Sequence, residues 1–431
     1  MLSSIRVRNF KCIADLSLQF TYDQKKAPNG YAHMPKYPFI DEGGQRLVPC
    51  MAFYGANASG KSAILQAISA LVNFALNRIH PFSLYQPNHL KKLPSESTFI
   101  EMSWTDMDDC FTYSVEVASN RIVKEKLCSN EDVLFESNEC HIRLPNVDEF
   151  QSKIKRLTFE CIDAASQRQL RPIFPFIAKE FPGIHSKLKS AFLFFEKKIL
   201  YLDSSISPFQ SIQKLSETFD HPASVDREAA ALNLVSSFLR KLDVHIQKIE
   251  MRKAMGSISS LPLPMQALYL SQMNTSIQSN PDLTLNDVSF RTFHLAEDGA
   301  EIPIKLEDES SGTQRLFVLL ASLLTALRTG GVAVIDDIDE SIHSSLLPQF
   351  LNLFQLREYN TKRSQLLFTL HNTDLLSGDN LTVSEVSFVS QSLSLGTQVR
   401  RLSSFDDVRN VTNFRKQYLM GFYDAIPSPF I

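Results

Sequence analysis

The pattern of apolar and polar residues divides the chain into stretches of different texture. Residues 2–20 alternate well enough to predict two short strands around a turn, and residues 98–127 alternate again, as antiparallel strands do. Residues 145–285 lose this alternation and become helical, with the clearest apolar stripe over residues 235–249. Strands resume from Asp287. The pattern therefore predicts an α/β fold that carries an inserted, mainly helical domain.

The length of the chain agrees with this division. At 431 residues it exceeds what one hydrophobic core usually serves, so two or more structural units are expected. We predict a first lobe over residues 1–144, a helical insertion over residues 145–285 and a second lobe over residues 286–431.

A short glycine-containing loop lies between two apolar segments of the first lobe. The run from residue 47 to residue 54 predicts a buried strand, and residues 61–79 carry apolar side chains at helical spacing. Between them the chain reads Gly-Ala-Asn-Ala-Ser-Gly-Lys-Ser. All eight residues are candidates for nucleotide binding: Gly55, Ala56, Asn57, Ala58, Ser59, Gly60, Lys61 and Ser62.

The residue types of this loop suit a bound triphosphate. Gly55 and Gly60 let the backbone turn tightly and aim its N–H groups at phosphate oxygens. Lys61 adds a positive charge for the outer phosphates, and Ser62 offers a hydroxyl to Mg²⁺. The helix that follows points the positive end of its dipole at the same place. The loop is a complete Walker A element, and it predicts binding of a nucleoside triphosphate with Mg²⁺.

Three elements of the second lobe extend this site. Residues 309–315, Glu-Ser-Ser-Gly-Thr-Gln-Arg, precede an apolar helix, and such a helix start is either an anion site or an ordinary capped end. Residues 332–337, Val-Ala-Val-Ile-Asp-Asp, form a Walker B pattern in which Asp336 is positioned for Mg²⁺. Residues 365–371 predict a core strand with His371 at its carboxyl end, where ligands of parallel sheets gather.

Composition narrows the class of protein. With 44% hydrophobic and 21% charged residues, the chain is neither disordered nor fibrous. A net charge of −3 gives no global attraction to nucleic acid, although a local basic groove stays open. The six cysteines show no zinc or CxxC spacing, and no apolar run reaches the ~18 residues of a membrane span. These features predict a cytoplasmic protein without a membrane partner.

The four elements, in this order, resemble the ABC-type ATPase superfamily. Within it the chain is similar to the SMC/RecF/OLD-like branch, through the opening Ile-Arg-Val-Arg-Asn-Phe-Lys, the Asn of the phosphate loop and the large insertion. More closely, it resembles AAA-family ATP-binding proteins of the abortive-infection type (AbiLi, RloA-like) found in bacterial anti-phage operons. The residues that carry this resemblance are 309–317, 336–343, 368–376 and 418–427.

The resemblance implies a fold, cofactors and an assembly. The fold would be an ABC-type P-loop ATPase head, with a mixed sheet and an antiparallel β subdomain, and the cofactors would be ATP and Mg²⁺. Ser311, Gly312 and Gln314 would form the signature motif, in which Ser311 and Gly312 cap the γ-phosphate of ATP held by a second subunit. The working unit would then be a homodimer or a higher homo-oligomer.

The resemblance also assigns the catalytic residues. His371 would be the switch histidine, and His343 would lie in the D-loop at the dimer interface. Asp337 stands where the family usually has the glutamate that polarises the attacking water. Because aspartate is one methylene shorter, the resemblance implies slow hydrolysis.

Three functions fit these features. The first is the ATPase of an anti-phage system that controls a separately encoded effector, a nuclease or a toxin, because the chain leaves no room for the TOPRIM nuclease that OLD proteins carry. The second is a RecF-like DNA-repair ATPase, and the third a transporter ATPase, against which the insertion and the degenerate signature argue. A basic groove would favour the second function, with these candidates: Lys153, Lys155, Arg156, Lys187, Lys189, Lys197 and Lys198.

Overall fold

The computed structural model describes most of the chain, in two compact units. The described residues are 1–88, 96–119, 121–139, 141–144, 158, 160–163, 166, 168–180, 186–203, 225–241, 245–257, 284–340, 342–392, 395–405, 408 and 413–426. The first unit comprises Met1–Ser204 and Thr325–Ile431, and the second comprises Ser205–Leu324. The lobe boundaries expected from the sequence stay a prediction.

The secondary structure, numbered in chain order, is as follows. The strands are β1 (Leu2–Phe10), β2 (Ile13–Gln19), β3 (Ile40–Glu42), β4 (Gln45–Leu47), β5 (Cys50–Gly55), β6 (Thr98–Asp106), β7 (Asp109–Ala118), β8 (Arg121–Ser129), β9 (Asp132–Asn138), β10 (His141–Arg143), β11 (Ile162–Asp163), β12 (Arg168–Gln169), β13 (Ile199–Leu202), β14 (Lys248–Ser257), β15 (Thr284–Leu295), β16 (Glu301–Lys305), β17 (Val332–Ile335), β18 (Gln365–Thr369), β19 (Val386–Ser392) and β20 (Gly396–Arg401). The helices are α1 (Lys61–Ala75), α2 (Pro81–Leu84), α3 (Phe174–Glu180), α4 (Ser186–Leu193), α5 (Val225–Lys241), α6 (Ser311–Thr329), α7 (Leu347–Gln355) and α8 (Phe414–Leu419).

An antiparallel sheet forms one layer of the first unit. Its main path runs β10-β9-β8-β7-β6-β1-β2, so the predicted N-terminal hairpin is extended by the strands that follow the phosphate-loop helix. The strands alternate because one face packs on the core. The buried Trp104 of β6 stacks on Phe111 and on Phe194, with ring centroids 5.3 and 5.1 Å away.

A largely parallel sheet carries the candidate site. Its order is β13-β17-β18-β5-β19-β20, and only the last pair is antiparallel. Every residue of β5, β17 and β18 is buried, as expected for central strands with covered faces. The carboxyl ends of β5, β17 and β18 therefore meet at one edge. The predicted fold class, a mixed sheet with an antiparallel β subdomain, is confirmed.

The segment between the lobes is not only helical. β13 joins the parallel sheet beside β17, with Ile199 opposite Val332 and Leu202 opposite Ile335. A four-residue strand is too short to show a period in the sequence, which explains why the pattern does not reveal it. The apolar stripe predicted over residues 235–249 is also interrupted, because α5 ends at Lys241 and Ile249 lies in β14.

The second unit contains its own small sheet. β14, β15 and β16 pair antiparallel in that order. The helix α6 begins in this unit, and Phe290 of β15 contacts Phe317 of α6 with ring centroids 5.2 Å apart. This contact joins the sheet to the helix that carries the predicted signature motif.

Candidate nucleotide-binding site

The phosphate loop connects β5 to α1 as the sequence predicts. Gly60 has φ 104°, in the left-handed region that favours glycine. A Cβ atom on Gly60 would lie 2.3 Å from Thr397 Oγ1, and one on Gly55 would lie 2.2 Å from the Val389 carbonyl oxygen. The close approach of β19 and β20 therefore leaves no space for a side chain at either glycine, and the left-handed backbone favours glycine at Gly60 as well.

Lys61 is held against the loop that it follows. Its Nζ donates hydrogen bonds to the carbonyl oxygens of Gly55 at 2.8 Å and Ala56 at 3.0 Å. The residue is only 5% exposed. Burial lowers the pKa of the Lys61 ammonium, and the nearby carboxylates, Asp337 foremost, oppose that shift. A phosphate anion bound in the loop would likewise oppose the effect of burial and stabilise the charged form of Lys61.

Asp336 follows β17 directly and contacts both neighbouring elements. It is 2% exposed, and burial raises the pKa of its carboxyl group. The Thr369 hydroxyl at the end of β18 donates to Asp336 Oδ1 at 2.6 Å, and a hydrogen bond with the Ser62 side chain also favours the ionised form. The two residues predicted to bind Mg²⁺, Ser62 and Asp336, are therefore in contact.

Asp337 and His371 are brought together at the same edge of the sheet. Asp337 Oδ1 lies 3.4 Å from His371 Nε2. The Asp337 backbone has φ 50°, and its N–H donates to Thr369 Oγ1 at 2.7 Å. Asp339 fixes the loop after β18, because its Oδ2 accepts the backbone N–H groups of His371 and Asn372 at 2.9 and 2.6 Å. The His371 ring itself is 48% exposed and free to face a ligand.

The phosphate loop, Asp337 and His371 line one open pocket of about 500 Å³. The predicted loop residues 57–62 contribute one wall, and Asp337 and His371 contribute another. Cys12 and Gln391 complete the lining, and the sequence patterns identified neither. Cys12 lies in the turn between β1 and β2. The neighbouring Lys11 connects this turn to α1, because its Nζ donates to Gln66 Oε1 at 2.5 Å.

The pocket fits a nucleotide with Mg²⁺. Ser59 Oγ is buried and has no hydrogen-bond partner among the described residues, and it lies beside a glycine cradle that a Cβ atom would fill. Ser62 and Asp336 offer the oxygen ligands that Mg²⁺ prefers. Within the described ranges, no group of three or more His, Cys, Asp or Glu side chains could hold a metal alone. Mg²⁺ is usually bound by one or two protein carboxylates and by substrate phosphates, and Asp336 would be such a ligand here.

The predicted signature residues lie at the start of α6 in the second unit. Ser311 is exposed, and it follows Ser310, whose hydroxyl accepts the N–H of Thr313 at 3.1 Å. Gln314 Nε2 donates to the carbonyl oxygens of Glu307 and Glu309, both at 2.9 Å. Gln314 therefore braces the loop from within.

His343, predicted to lie in the D-loop, is an exposed residue ahead of α7. Its Nδ1 lies 2.8 Å from Ser345 Oγ and accepts the Ser345 N–H at 3.3 Å. The ring therefore caps the short 3₁₀ turn Ser344–Leu346. The contact orders this turn without using Nε2.

Two of the candidate basic residues are neutralised by the antiparallel sheet. Lys187 Nζ lies 2.9 Å from Asp109 Oδ1, and Lys198 Nζ lies 2.7 Å from Asp106 Oδ1. Lys153, Lys155 and Arg156 lie outside the described residues. The ion pairs reduce the charge that Lys187 and Lys198 could offer to a phosphate backbone.

Comparison with protein families gives a match over part of the chain. The family model described as "AAA domain, putative AbiEii toxin, Type IV TA system" matches residues 181–377. A search of curated proteins gives no match.

Solved structures with a similar arrangement include SMC heads and RecF. The SMC head domain from Thermotoga maritima is 14% identical with a TM-score of 0.40, over 93% of this chain and 98% of that chain. The Smc head from Pyrococcus furiosus bound to the C-terminal domain of ScpA is 12% identical with a TM-score of 0.41, over 93% and 96%. The recombination mediator RecF is 14% identical with a TM-score of 0.37, over 87% and 93%.

Residues 181–377 are similar to an AAA domain, and the buried strand β5, the phosphate loop and the helix α1 have the arrangement of a P-loop nucleotide-binding site. In the part of the chain that the structure describes, no helix is long and apolar enough to cross a membrane.

Proposed function

We propose that this chain is the ATPase subunit of a bacterial anti-phage defence system. It binds ATP with Mg²⁺ between two copies of itself and controls a separately encoded effector, a nuclease or a toxin. The observation that supports the ATPase function is that Lys61, Ser62 and Asp337 line one pocket, while the buried Asp336 hydrogen-bonds to Ser62 at its base. The match of residues 181–377 to a family described as a putative AbiEii toxin supports the role in defence.

Each residue of the pocket has a role in this proposal. Lys61 exchanges its two carbonyl partners for the outer phosphates of ATP. Ser62 and Asp336 hold Mg²⁺, which supplies positive charge against the phosphates. Asp337 accepts a proton from the attacking water, and His371 contacts the γ-phosphate from the exposed side of the pocket. The carboxylate of Asp337 is one methylene shorter than that of a glutamate, and the backbone N–H of Asp337 donates to Thr369 Oγ1, so we expect slow turnover.

Removal of the lysine tests whether the pocket binds ATP. Lys61→Ala deletes the charge next to the phosphates, and we expect its affinity for ATP with Mg²⁺ to fall about 100-fold or more. Isothermal calorimetry measures the dissociation constant. Lys25→Ala, at an exposed position outside the pocket, is the matched control and should bind as the wild type does. Wild-type affinity in Lys61→Ala would remove the phosphate loop from the function.

A mixed oligomer tests whether two copies share the ATP. Ser311→Arg places a bulky side chain in the predicted cap, so homo-oligomers of Ser311→Arg and of Lys61→Ala should both be inactive. In the mixture, one of two composite sites combines an intact phosphate loop with an intact signature, and part of the ATPase activity should return. An inactive mixture despite proven co-assembly would exclude the shared site.

The role in defence needs a test of its own. Cells that express the chain with its neighbouring genes should resist phage, and Lys61→Ala should abolish the protection. The contrary result is protection unaffected by Lys61→Ala, combined with ATPase activity that double-stranded DNA stimulates about tenfold. That result would instead support a RecF/SMC-like role in DNA repair.

A further inference from the structure

Two side chains of β15 hydrogen-bond to Glu309, which lies two residues before Ser311 of the predicted signature motif. His294 Nε2 lies 2.6 Å from Glu309 Oε1, and the Thr292 hydroxyl hydrogen-bonds to the same oxygen. Thr292 is fully buried, and the Glu309 side chain is 11% exposed. An ionised carboxylate only accepts hydrogen bonds, so both neighbours donate to Glu309.

The backbone of the same loop is fixed from the other side. Gln314 Nε2 donates to the carbonyl oxygens of Glu307 and Glu309, both at 2.9 Å. Leu306, at the start of the loop, is fully buried. The side chain of Glu309 is thus tied to the sheet, and its carbonyl group is tied to α6. The exposed Ser311 follows two residues later.

We propose that His294 and Thr292 are positioning residues for the signature loop, acting through Glu309. The inference rests on the proposed function, in which Ser311 and Gly312 meet the γ-phosphate held by a second copy. Such a loop gains catalytic value from being ordered before the second copy arrives, because displacing a catalytic contact by about 1 Å can cost about 100-fold in rate. The donors on β15 supply that order without contacting ATP.

The reach of the histidine allows a sharp test. A glutamine side chain can carry an N–H donor close to the position of His294 Nε2, whereas asparagine is too short. We therefore expect His294→Ala and His294→Asn to lower kcat about 10- to 100-fold. His294→Gln should recover most of the rate. The affinity of the phosphate loop for ATP should stay unchanged in all three variants, since that loop makes its own contacts.

Thr292 offers a second, independent pair of variants. Thr292→Val removes the hydroxyl with little change of shape, and Thr292→Ser keeps it. We expect Thr292→Val to lower kcat and Thr292→Ser to retain it. If His294→Ala does not fold, the comparison of Thr292→Val with Thr292→Ser tests the positioning role instead.

Hydrogen exchange separates this inference from the proposed function. The amides of residues 310–315 should exchange about tenfold faster in His294→Ala than in the wild type, whether or not ATP is present. Unchanged exchange, or equal rates for His294→Gln and His294→Asn, would overturn the inference. Faster exchange in a protein whose wild type has no ATPase activity would uphold the positioning role and reject the proposed function.

Discussion

The chain contains two helix starts built from small residues, and they differ in how their backbone donors are used. At α1 the N-cap is Gly60, and no side chain among the described residues caps the first turn. At α6 the Ser310 hydroxyl accepts the N–H of Thr313 and caps the helix from within. Unsatisfied N–H groups at a helix start favour an anion, whereas a side-chain cap satisfies one of these groups from within the chain.

This difference in capping suggests different roles for the loops that precede α1 and α6. The start of α1 is prepared for phosphate, with the charge of Lys61 beside it. At the start of α6 the Ser310 hydroxyl already satisfies one N–H group, that of Thr313, next to the predicted signature residues Ser311 and Gly312. Glycine and serine content alone does not distinguish the two, because both loops contain both residues. The capping side chain does.

The strongest test of this contrast is at Gly60. Gly60→Ala combines a left-handed backbone with a Cβ atom 2.3 Å from Thr397 Oγ1, so we expect ATP affinity to fall about 100-fold and stability by about 1–3 kcal/mol. Calorimetry and thermal unfolding measure the two losses. Gly30→Ala is the matched control, since Gly30 has φ 68° and open space around it. Equal affinities in these variants would contradict the cradle.

A smaller effect is expected at Asp337, the carboxylate that we propose to be catalytic. Asp337→Glu restores the longer side chain, and we expect steady-state ATP turnover to rise roughly tenfold, while Asp337→Asn lowers it by a similar factor. ATP affinity should change little, because the phosphate contacts come from the loop. If both substitutions leave the rate unchanged, Asp337 takes no part in the chemistry.

The smallest effect is expected from the cap of α6. Ser310→Ala removes the acceptor for the Thr313 N–H and should cost about 1 kcal/mol of stability. Ser59→Ala should cost less, because Ser59 Oγ has no partner in the described structure. Denaturant unfolding compares the two variants. If Ser59→Ala loses more stability than Ser310→Ala, the contrast between a capped and an uncapped helix start is contradicted.

The sequence predicted those parts of the site that are local. The run before Gly55, the helix after Gly60 and the two carboxylates after β17 each lie within a few residues of their own pattern. Periodicity and residue type therefore suffice to find them. Their meeting follows from the rule that the carboxyl ends of parallel strands share an edge.

Long-range partners were not predictable in the same way. Thr369 contacts Asp336 only because β18 lies beside β17, and Cys12 reaches the pocket from a different sheet. Nothing in the short run Leu-Leu-Phe-Thr-Leu marks its threonine as a hydrogen-bond donor to a carboxylate. The strand β13 was not predicted for a related reason, because its pairing with β17 is fixed by tertiary contacts and not by a repeating pattern.

The position of β5 in the parallel sheet has a consequence for biosynthesis. Its two neighbours are β18 and β19, which begin at Gln365 and Val386, near the end of the chain. While the ribosome is still making the intervening residues, the strand that leads into the phosphate loop has no partner on either side. Pairings between such distant segments form slowly and leave apolar edges exposed in the meantime. The sheet that holds the phosphate loop therefore assembles only after residues 365–392 have been synthesised.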